Sequence, residues 1–419
     1  MSRARVLSVI VGVLCLLLPA AVLAQGIYIP VAGPVNRSMG GTTTAAPLDG
    51  LGALYWNPAT ISGLPESELS VGADFLVAVT TLSSSVGPVS GSTKGKPGGV
   101  LIPNVAWIHR MSNPKLTFGL GILVPAGFKT NYPADLSNPI LTPQPNGVGR
   151  LYSEAQFVQV TPSFSYQVTE RLAVAVGPML TLATLNADPL LFVAPNINGY
   201  AYGRGQVRFG GGVQGGVYYR GAGNWDFGAS IKSPQWIQTF EYTAEDSIGG
   251  PRTGSFDLDL PLIFSVGTAY RGIDRLLWTV DYRYFDYGNT TGLGDSGFND
   301  EGALRGVGWR SVNSVSTGVQ YQLRDGLVVR GAYGINQAPV VPENAGLNIA
   351  SPLVQEQVLH GGGSIALDPN VTLNVAYTYF PSNEVGGPMQ TFIEGPLPGS
   401  TVSSRLSVHT LSMGITVKY

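Results

Sequence analysis

From Glu66 to its last residue the chain is written largely in period two. Leu69, Val71, Ala73, Phe75, Val77 and Val79 alternate with Glu68, Ser70, Gly72 and Asp74, which gives an extended strand one apolar and one polar face. The pattern returns at 116–124, 158–168, 172–182, 207–219, 225–231, 256–270, 276–284, 315–323, 327–335, 371–379 and 411–419, with less regular candidates at 99–110 and 353–367. That makes about fourteen strands, an even number. The links between them sort by length. Short ones (111–114, 169–170, 221–224, 272–274, 324–326, 368–370) take turns with long ones (82–98, 126–150, 187–203, 239–253, 288–308, 338–352, 382–402). The short links carry turn formers such as Ser112-Asn113-Pro114, Arg324-Asp325-Gly326 and Asp368-Pro369-Asn370. Strict alternation is expected of a barrel whose tight turns all lie on one side of a membrane and whose loops all lie on the other. A soluble sandwich has no reason to sort its loops. The expected fold class is therefore all-β and transmembrane: an antiparallel outer-membrane barrel of about fourteen strands.

Other features of the chain agree with that class. Charged residues are 12% of the sequence, against roughly a quarter in soluble proteins. A net charge of −2 supplies no footprint for nucleic acid. Arg3 and Arg5, the apolar run Val6 to Leu18 and the small residues of Ala21-Val22-Leu23-Ala24 read as a secretory leader over 1–24, cleaved before Gln25. The one cysteine, Cys15, falls inside it, so no disulfide is expected in the mature chain. No later apolar run is long enough to span a bilayer as a helix. The expected location is the bacterial outer membrane, reached through the secretory route. The aromatic Tyr419, closing an alternating strand, resembles the terminal signal that barrel-assembly machinery reads.

One stretch shows no period at all: GPVNRSMGGTTTAAPLDGLGALYWNPATISGLP, Gly33 to Pro65. A barrel of about fourteen strands has a lumen too wide for wall side chains to fill. This stretch precedes the first strand, so it starts at the periplasmic mouth. Residues 25–65 are therefore expected to form a hatch inside a barrel of residues 66–419. Gly40, Gly41, Gly50 and Gly52 permit close packing against a wall. Leu51, Tyr55 and Trp56 argue against a disordered tail.

The order Ser38-Met39-Gly40-Gly41, Asp49, Asn57-Pro58-Ala59 resembles the hatch of the FadL/TodX family of outer-membrane transporters for hydrophobic compounds. The resemblance continues through Gly119-Leu120-Gly121 and Pro125-Ala126-Gly127-Phe128-Lys129-Thr130-Asn131-Tyr132-Pro133, similar to the family's third strand and following loop. It reappears in 262–271, Trp309-Arg310, 329–334 and 374–379. It implies a hatch-plugged, fourteen-stranded barrel. It also implies passive capture of long-chain fatty acids or aromatic hydrocarbons, with lateral release into membrane lipid beside a kink in the third strand. The hatch signature is then Met39, Gly40, Gly41, Asp49, Asn57, Pro58 and Ala59. Gly26, Ile27 and Tyr28 at the mature N-terminus, which is shorter and more proline-bound than in a typical member, are expected near the ligand. Phe128, Tyr132 and Leu136 in the second long link are expected to form a capture groove. Gly119 and Gly121, on the less apolar face of their strand, either admit the hatch or ease a bend at the opening. Pro103, Pro162, Pro178 and Pro261 each remove a ladder donor and mark bulges or kinks where a wall could open. Arg208, Lys232, Arg283 and Arg330 fall on lumen faces, where acidic residues or the hatch are the expected partners; Arg330 is also a candidate for a substrate carboxylate.

Rival classes have weaker support. His109, His360 and His409 lie on separate strands without metal-site spacing. No GxSxG elbow is present. Gly210, Gly212 and Gly215 match GxGxxG, but on a strand with no helix after it, which reads as a small-residue stripe. No catalytic residue, metal or cofactor is expected. The runner-up is a general porin for polar solutes, and a third class is an adhesin carried by the outer loops. The expected partners are a hydrophobic small molecule, outer-membrane lipid and, through Tyr419, the barrel-assembly machinery. Nucleic acid is not among them, and the chain is expected to be a monomer.

Overall fold

Fourteen antiparallel strands close on themselves in this computed structural model, which describes residues 26–246, 248–391 and 395–419. The expected leader, residues 1–24, lies outside the described residues. The strands are β1 (Glu68–Val86), β2 (Gly99–Arg110), β3 (Leu116–Tyr132), β4 (Leu151–Gln167), β5 (Leu172–Asp188), β6 (Arg208–Arg220), β7 (Trp225–Lys232), β8 (Ile263–Ile273), β9 (Leu276–Phe285), β10 (Val312–Arg324), β11 (Leu327–Asn336), β12 (Gln357–Ala366), β13 (Val371–Gly387) and β14 (Ser400–Lys418). Each pairs with its neighbours in sequence, and β1 on β14 closes the barrel from Glu68↔Lys418 to Val86↔Ser400. Two short pieces extend the sheet: Val89–Lys94 folds back on β1 and Trp236–Ile237 pairs with β6.

The period-two pattern is turned inside out relative to a soluble protein. On β1, Val71, Phe75 and Val79 face outward, each about half exposed, while Ser70, Asp74 and Thr80 are buried inside. An apolar outer surface of this kind is stable when hydrocarbon rather than water lies against it. Near the short turns, Trp107, Phe118 and Phe164 form one chain of ring contacts, and Trp225, Tyr270 and Trp278 form another. Amphipathic rings at that level suit the bilayer interface.

The sequence pattern fixes the strands' existence and order better than their outer ends. β3 runs on to Tyr132, so the first residues of the expected link 126–150 are wall, and β4 starts at Leu151, right where that link ends. Likewise β13 reaches Gly387 and β14 starts at Ser400. At these outer ends backbone pairing continues after the simple alternation has faded. The expected strand 256–270 is shortened instead. β8 starts at Ile263, and Pro261, which has no N–H to give a ladder, lies before it.

Inside the wall sit two short helices, α1 (Pro34–Ser38) and α2 (Gly50–Trp56), and a 3₁₀ turn, Pro58–Gly63. Side chains of the expected signature cap the start of α2 and the start of the 3₁₀ turn that follows it. Asp49 Oδ1 accepts from the Gly52 N–H at 3.0 Å. Asn57 follows the helix, and its Oδ1 accepts from the Ala59 N–H at 3.1 Å, which starts the 3₁₀ turn with Pro58 in its first position. Residues Val31–Ala46 and Asp49–Ile61 are buried throughout.

Candidate functional site

The hatch is tied to the wall by buried polar groups that have partners. Arg37 on α1 forms an ion pair with Asp74 on β1 at 2.6 Å, both side chains almost fully buried. Asn104 Nδ2 donates to the same carboxylate at 3.2 Å, and the Ser412 hydroxyl donates to its other oxygen. Farther round the barrel, Arg283 pairs with Asp281 at 2.7 Å, donates to the Gly41 carbonyl at 2.6 Å and stacks over the Trp56 ring, 3.7 Å from its centroid. Asp281 accepts in turn from the Thr44 N–H at 3.1 Å. The side-chain nitrogen of buried Lys232 stands 4.9 Å from the Tyr55 ring centroid and 5.5 Å from that of Trp56, within cation–π distance of both rings. Asn57 spans the seam, its Nδ2 donating to the hatch carbonyl of Thr44 at 2.7 Å and to the wall carbonyl of Val217 at 3.0 Å.

Wall glycines allow this approach. A Cβ at Gly228 would collide with the Thr44 carbonyl, and one at Gly216 with the Asn57 side chain. At Gly318 it would stand 2.7 Å from the Met39 carbonyl, and at Gly119 2.8 Å from Leu54. These distances are shorter than ordinary van der Waals contact. Gly119 therefore admits α2.

Beside the hatch the wall is interrupted between β2 and β3. β2 and β3 pair from Arg110↔Thr117 to Val105↔Ile122 and no farther. Above that point residues 99–104 and 123–130 face each other without a ladder, until the Lys96 N–H donates to the Asn131 carbonyl at 2.7 Å and Asn131 Nδ2 donates back to Lys96 at 3.0 Å. The break starts at a bulge. On β3, Leu123 pairs with Gln159 and Ala126 with Phe157, so Val124 and Pro125 together oppose Val158. Pro125 has no N–H for a neighbouring strand. Its carbonyl serves the hatch instead, accepting from the Ile29 N–H at 2.8 Å and the Tyr55 hydroxyl at 3.2 Å. The Gly127 N–H donates to the Ile27 carbonyl at 3.2 Å. The hatch N-terminus thus runs beside the bulge as a short extra strand, with Tyr28 bridged to Ala126.

The bulge also reverses the faces of β3. One extra residue changes which parity points inward. Before it, Gly119 and Gly121 face the lumen; after it, Thr130 and Tyr132 do. Phe128 shares their parity and lines two cavities. The lateral cavity, about 870 Å³ counted to its mouth, lies behind the unpaired stretch, between Leu76, Ala78, Val100, Ile102, Leu406 and Val408 on one side and Ala126 and Phe128 on the other. The outer cavity, about 570 Å³, lies among Phe128, Phe192, Phe256, Leu293, Trp309 and Leu347. Its lining side chains are uncharged. The lateral cavity is lined by one cation, Lys129, which pairs with Glu154 at 3.3 Å.

The expected site residues divide. Met39, Gly40, Gly41, Asp49, Asn57, Pro58 and Ala59 all lie in the buried hatch, and Asp49 and Asn57 have the capping and bridging contacts given above. Of the expected ligand contacts, Phe128 lines both cavities. Gly26 stands against Tyr287 and Trp309, and Ile27 and Tyr28 are buried behind them, so they support a cavity wall without lining it. Tyr132 is buried in a separate cluster with Leu82, Leu141 and Leu151. Leu136 is 81% exposed, away from Phe128, so the three do not form one groove. Arg330 donates to Gln320 and Ser364, both at 2.6 Å, and lines neither cavity. Gly119 and Gly121 lie where β2 and β3 are still paired; the unpaired stretch begins after Ile122. Pro103 is on the free edge of β2 facing that stretch. Pro162 and Pro178 face each other where the β4–β5 ladder skips three positions without changing register. Arg208 pairs with Glu241 at 2.9 Å.

Two features were missed by period reading. Pro125 is the bulge, hidden by its place at the edge of an expected loop. Leu76 and Ala78 put apolar groups on the inner face, and the run Leu76-Val77-Ala78-Val79, apolar on both faces, was the signal. Among the described residues no group of three His, Cys, Asp or Glu is placed to hold a metal. His109 and His409 stack on Trp107 and Tyr379, and His360 contacts Thr378 at 2.8 Å.

Residues 17–419 match the family described as outer membrane protein transport protein (OMPP1/FadL/TodX). Among solved structures, the P. putida toluene transporter TodX has a TM-score of 0.71 at 16% identity, covering 93% of this chain and 99% of that one. A Pseudomonas aeruginosa FadL homologue gives 0.70 at 13% identity, with 94% and 100% covered. The Ralstonia pickettii toluene transporter TbuX gives 0.66 at 19%, with 93% and 99% covered. At these identities the likeness is one of fold. No curated protein matches the sequence.

Proposed function

The chain belongs to the OMPP1/FadL/TodX family of outer-membrane transport proteins, and we propose that it takes up uncharged hydrophobic small molecules passively and releases them sideways into the membrane. The observation that carries this reading is the unpaired stretch between β2 and β3, backed by an apolar cavity. A solute held in the outer cavity moves past Phe128 into the lateral one and leaves through the wall. At that place no β2–β3 ladder bond has to break. Each buried methylene gains about 0.8 kcal/mol, so the cavities bind without reactive groups, and no catalytic role is assigned. Polar solutes are stopped because the hatch fills the lumen below. Of the two substrate classes the resemblance implies, aromatic hydrocarbons suit the lining better than fatty acids. The outer cavity is lined by uncharged side chains, and Lys129 is already paired. TodX and TbuX are named as toluene transporters. We further assign residues 1–24 as the export leader, residues 25–65 as a hatch within a monomeric barrel, and Tyr419 as the contact for barrel assembly.

The test offers labelled toluene and labelled oleate to cells in which this chain is the family member present. Toluene entry above that of vector-only cells is expected, with little change for oleate. Oleate entry without toluene entry would reassign the substrate. Neither entry, together with a large steady current in planar bilayers, would replace the reading with a general porin.

A further inference from the structure

Phe128 is the residue that the two cavities have in common. Among the described residues no other lines both. The partition between them is completed by two chain segments whose consecutive residues fall on opposite sides. Ser153 lines the outer cavity and Glu154 the lateral one; Ser351 lines the outer cavity and Pro352 the lateral one. Backbone makes up that part of the partition, and at Glu154 a ladder holds it, with Lys129 on one side and Asn186 on the other. Among the described residues, Phe128 alone borders both spaces.

The backbone at Phe128 is held by hydrogen bonds that its ring lacks. Gly127 is bonded to the Ile27 carbonyl at 3.2 Å, and a Cβ on it would stand 2.8 Å from the Ala155 carbonyl, so the strand is tightly seated. Phe128 pairs across β4 with Ala155, whose small side chain lines the lateral cavity and leaves room beside the ring. The ring is partly buried against apolar neighbours and has no polar atom to anchor it. Aromatic side chains turn about two torsions, and such a ring moves without breaking a hydrogen bond.

We propose that the Phe128 side chain is the gate between capture and release, and that its bulk sets the width of solute that passes. This rests on the uptake reading above and adds a specificity-determining residue to it. The test compares wild type with Phe128→Ala, Phe128→Leu and Phe128→Trp in cells, using toluene and the wider 1,3,5-trimethylbenzene as labelled probes. The rate of the wide probe relative to toluene is expected to rise about tenfold in Phe128→Ala, the scale of discrimination that one methylene supplies in an apolar pocket. Phe128→Leu should fall between, and Phe128→Trp should lower the ratio below wild type. Heat-modifiable migration in gels confirms that each barrel is assembled. If Phe128→Ala does not assemble, Phe128→Leu and Phe128→Trp bracket wild type and decide the matter. An unchanged ratio in the assembled variants, with wild type taking up toluene, overturns the gate alone. Failure of wild type to admit either probe overturns the uptake reading and the gate with it.

Discussion

Two parts of the same wall meet the hatch in opposite ways. Around Arg37 and Asp281 the lumen is polar and closely packed, and glycines let the hatch backbone touch the strands. Between β2 and β3 it is apolar and unpaired, and the hatch supplies backbone partners that the wall lacks. The first arrangement suits exclusion of water and ions, because the buried Arg37 and Arg283 each already pair with a carboxylate. The second suits passage of hydrocarbon, because the groups a solute would displace are apolar. The difference teaches that one hatch meets its wall in two ways, through its helices where the wall is polar and through its first residues where the strands are unpaired.

The largest test of that division removes the hatch. A chain lacking residues 26–65 should assemble as a barrel and pass a steady current in planar bilayers, since a wall of this size leaves an aqueous lumen when unfilled. The intact protein should pass little. Equal currents would mean that the helices do not seal.

Next in size is the Arg37–Asp74 pair. Asp74→Ala leaves a buried guanidinium without its carboxylate and should destabilise the seated hatch by roughly 3–5 kcal/mol. Frequent current openings and faster proteolysis within residues 26–65 should follow. Arg37→Met with Asp74→Leu should recover much of the loss, because replacing both charges with apolar groups is often neutral. If the double variant is as leaky as Asp74→Ala, the pair does more than hold the hatch in place.

Asn57→Ala is smaller. It removes donors to Thr44 and Val217 and a cap on the Ala59 N–H, bonds of 2.7, 3.0 and 3.1 Å. A cost of about 1–3 kcal/mol is expected. Hydrogen exchange should rise at 44–60 while the strands keep their protection. Exchange that rises along β6 as well would place Asn57 in the wall's stability rather than in the seam.

The same division decided what the sequence disclosed. Strand order, turn placement and an internal hatch were readable because a membrane imposes period two outside and a filled lumen inside. The hatch signature was readable through the family resemblance alone; the caps that Asp49 and Asn57 place on the turns after them appear only in the structure. The unpaired stretch was not readable in the same way. It depends on one extra residue at Val124-Pro125, and period reading treats that place as the end of a strand. The parity change after it sends Phe128 inward, so Phe128 was expected beside Tyr132 and Leu136 in a loop. Arg330 shows the converse. Its lumen position was expected, but its bonds to Gln320 and Ser364 are set by neighbouring strands, which no single segment reveals.

The smallest effect on stability should teach most about the gap. Lys129 and Glu154 are each about a third exposed, so Glu154→Gln should change stability by less than about 1 kcal/mol. The Tyr152 hydroxyl, which donates to Glu154 at 2.5 Å, keeps an oxygen to donate to in the amide. What changes is charge: Lys129 then lines the lateral cavity without a counter-ion. A carboxylate solute gains a partner there and a neutral one gains nothing. Oleate entry relative to toluene should therefore rise, read as a competition ratio in the same cells. If the ratio stays at the wild-type value while the barrel is intact, the pairing of Lys129 is not what disfavours carboxylates, and the selection belongs to the outer cavity, where the solute is first held.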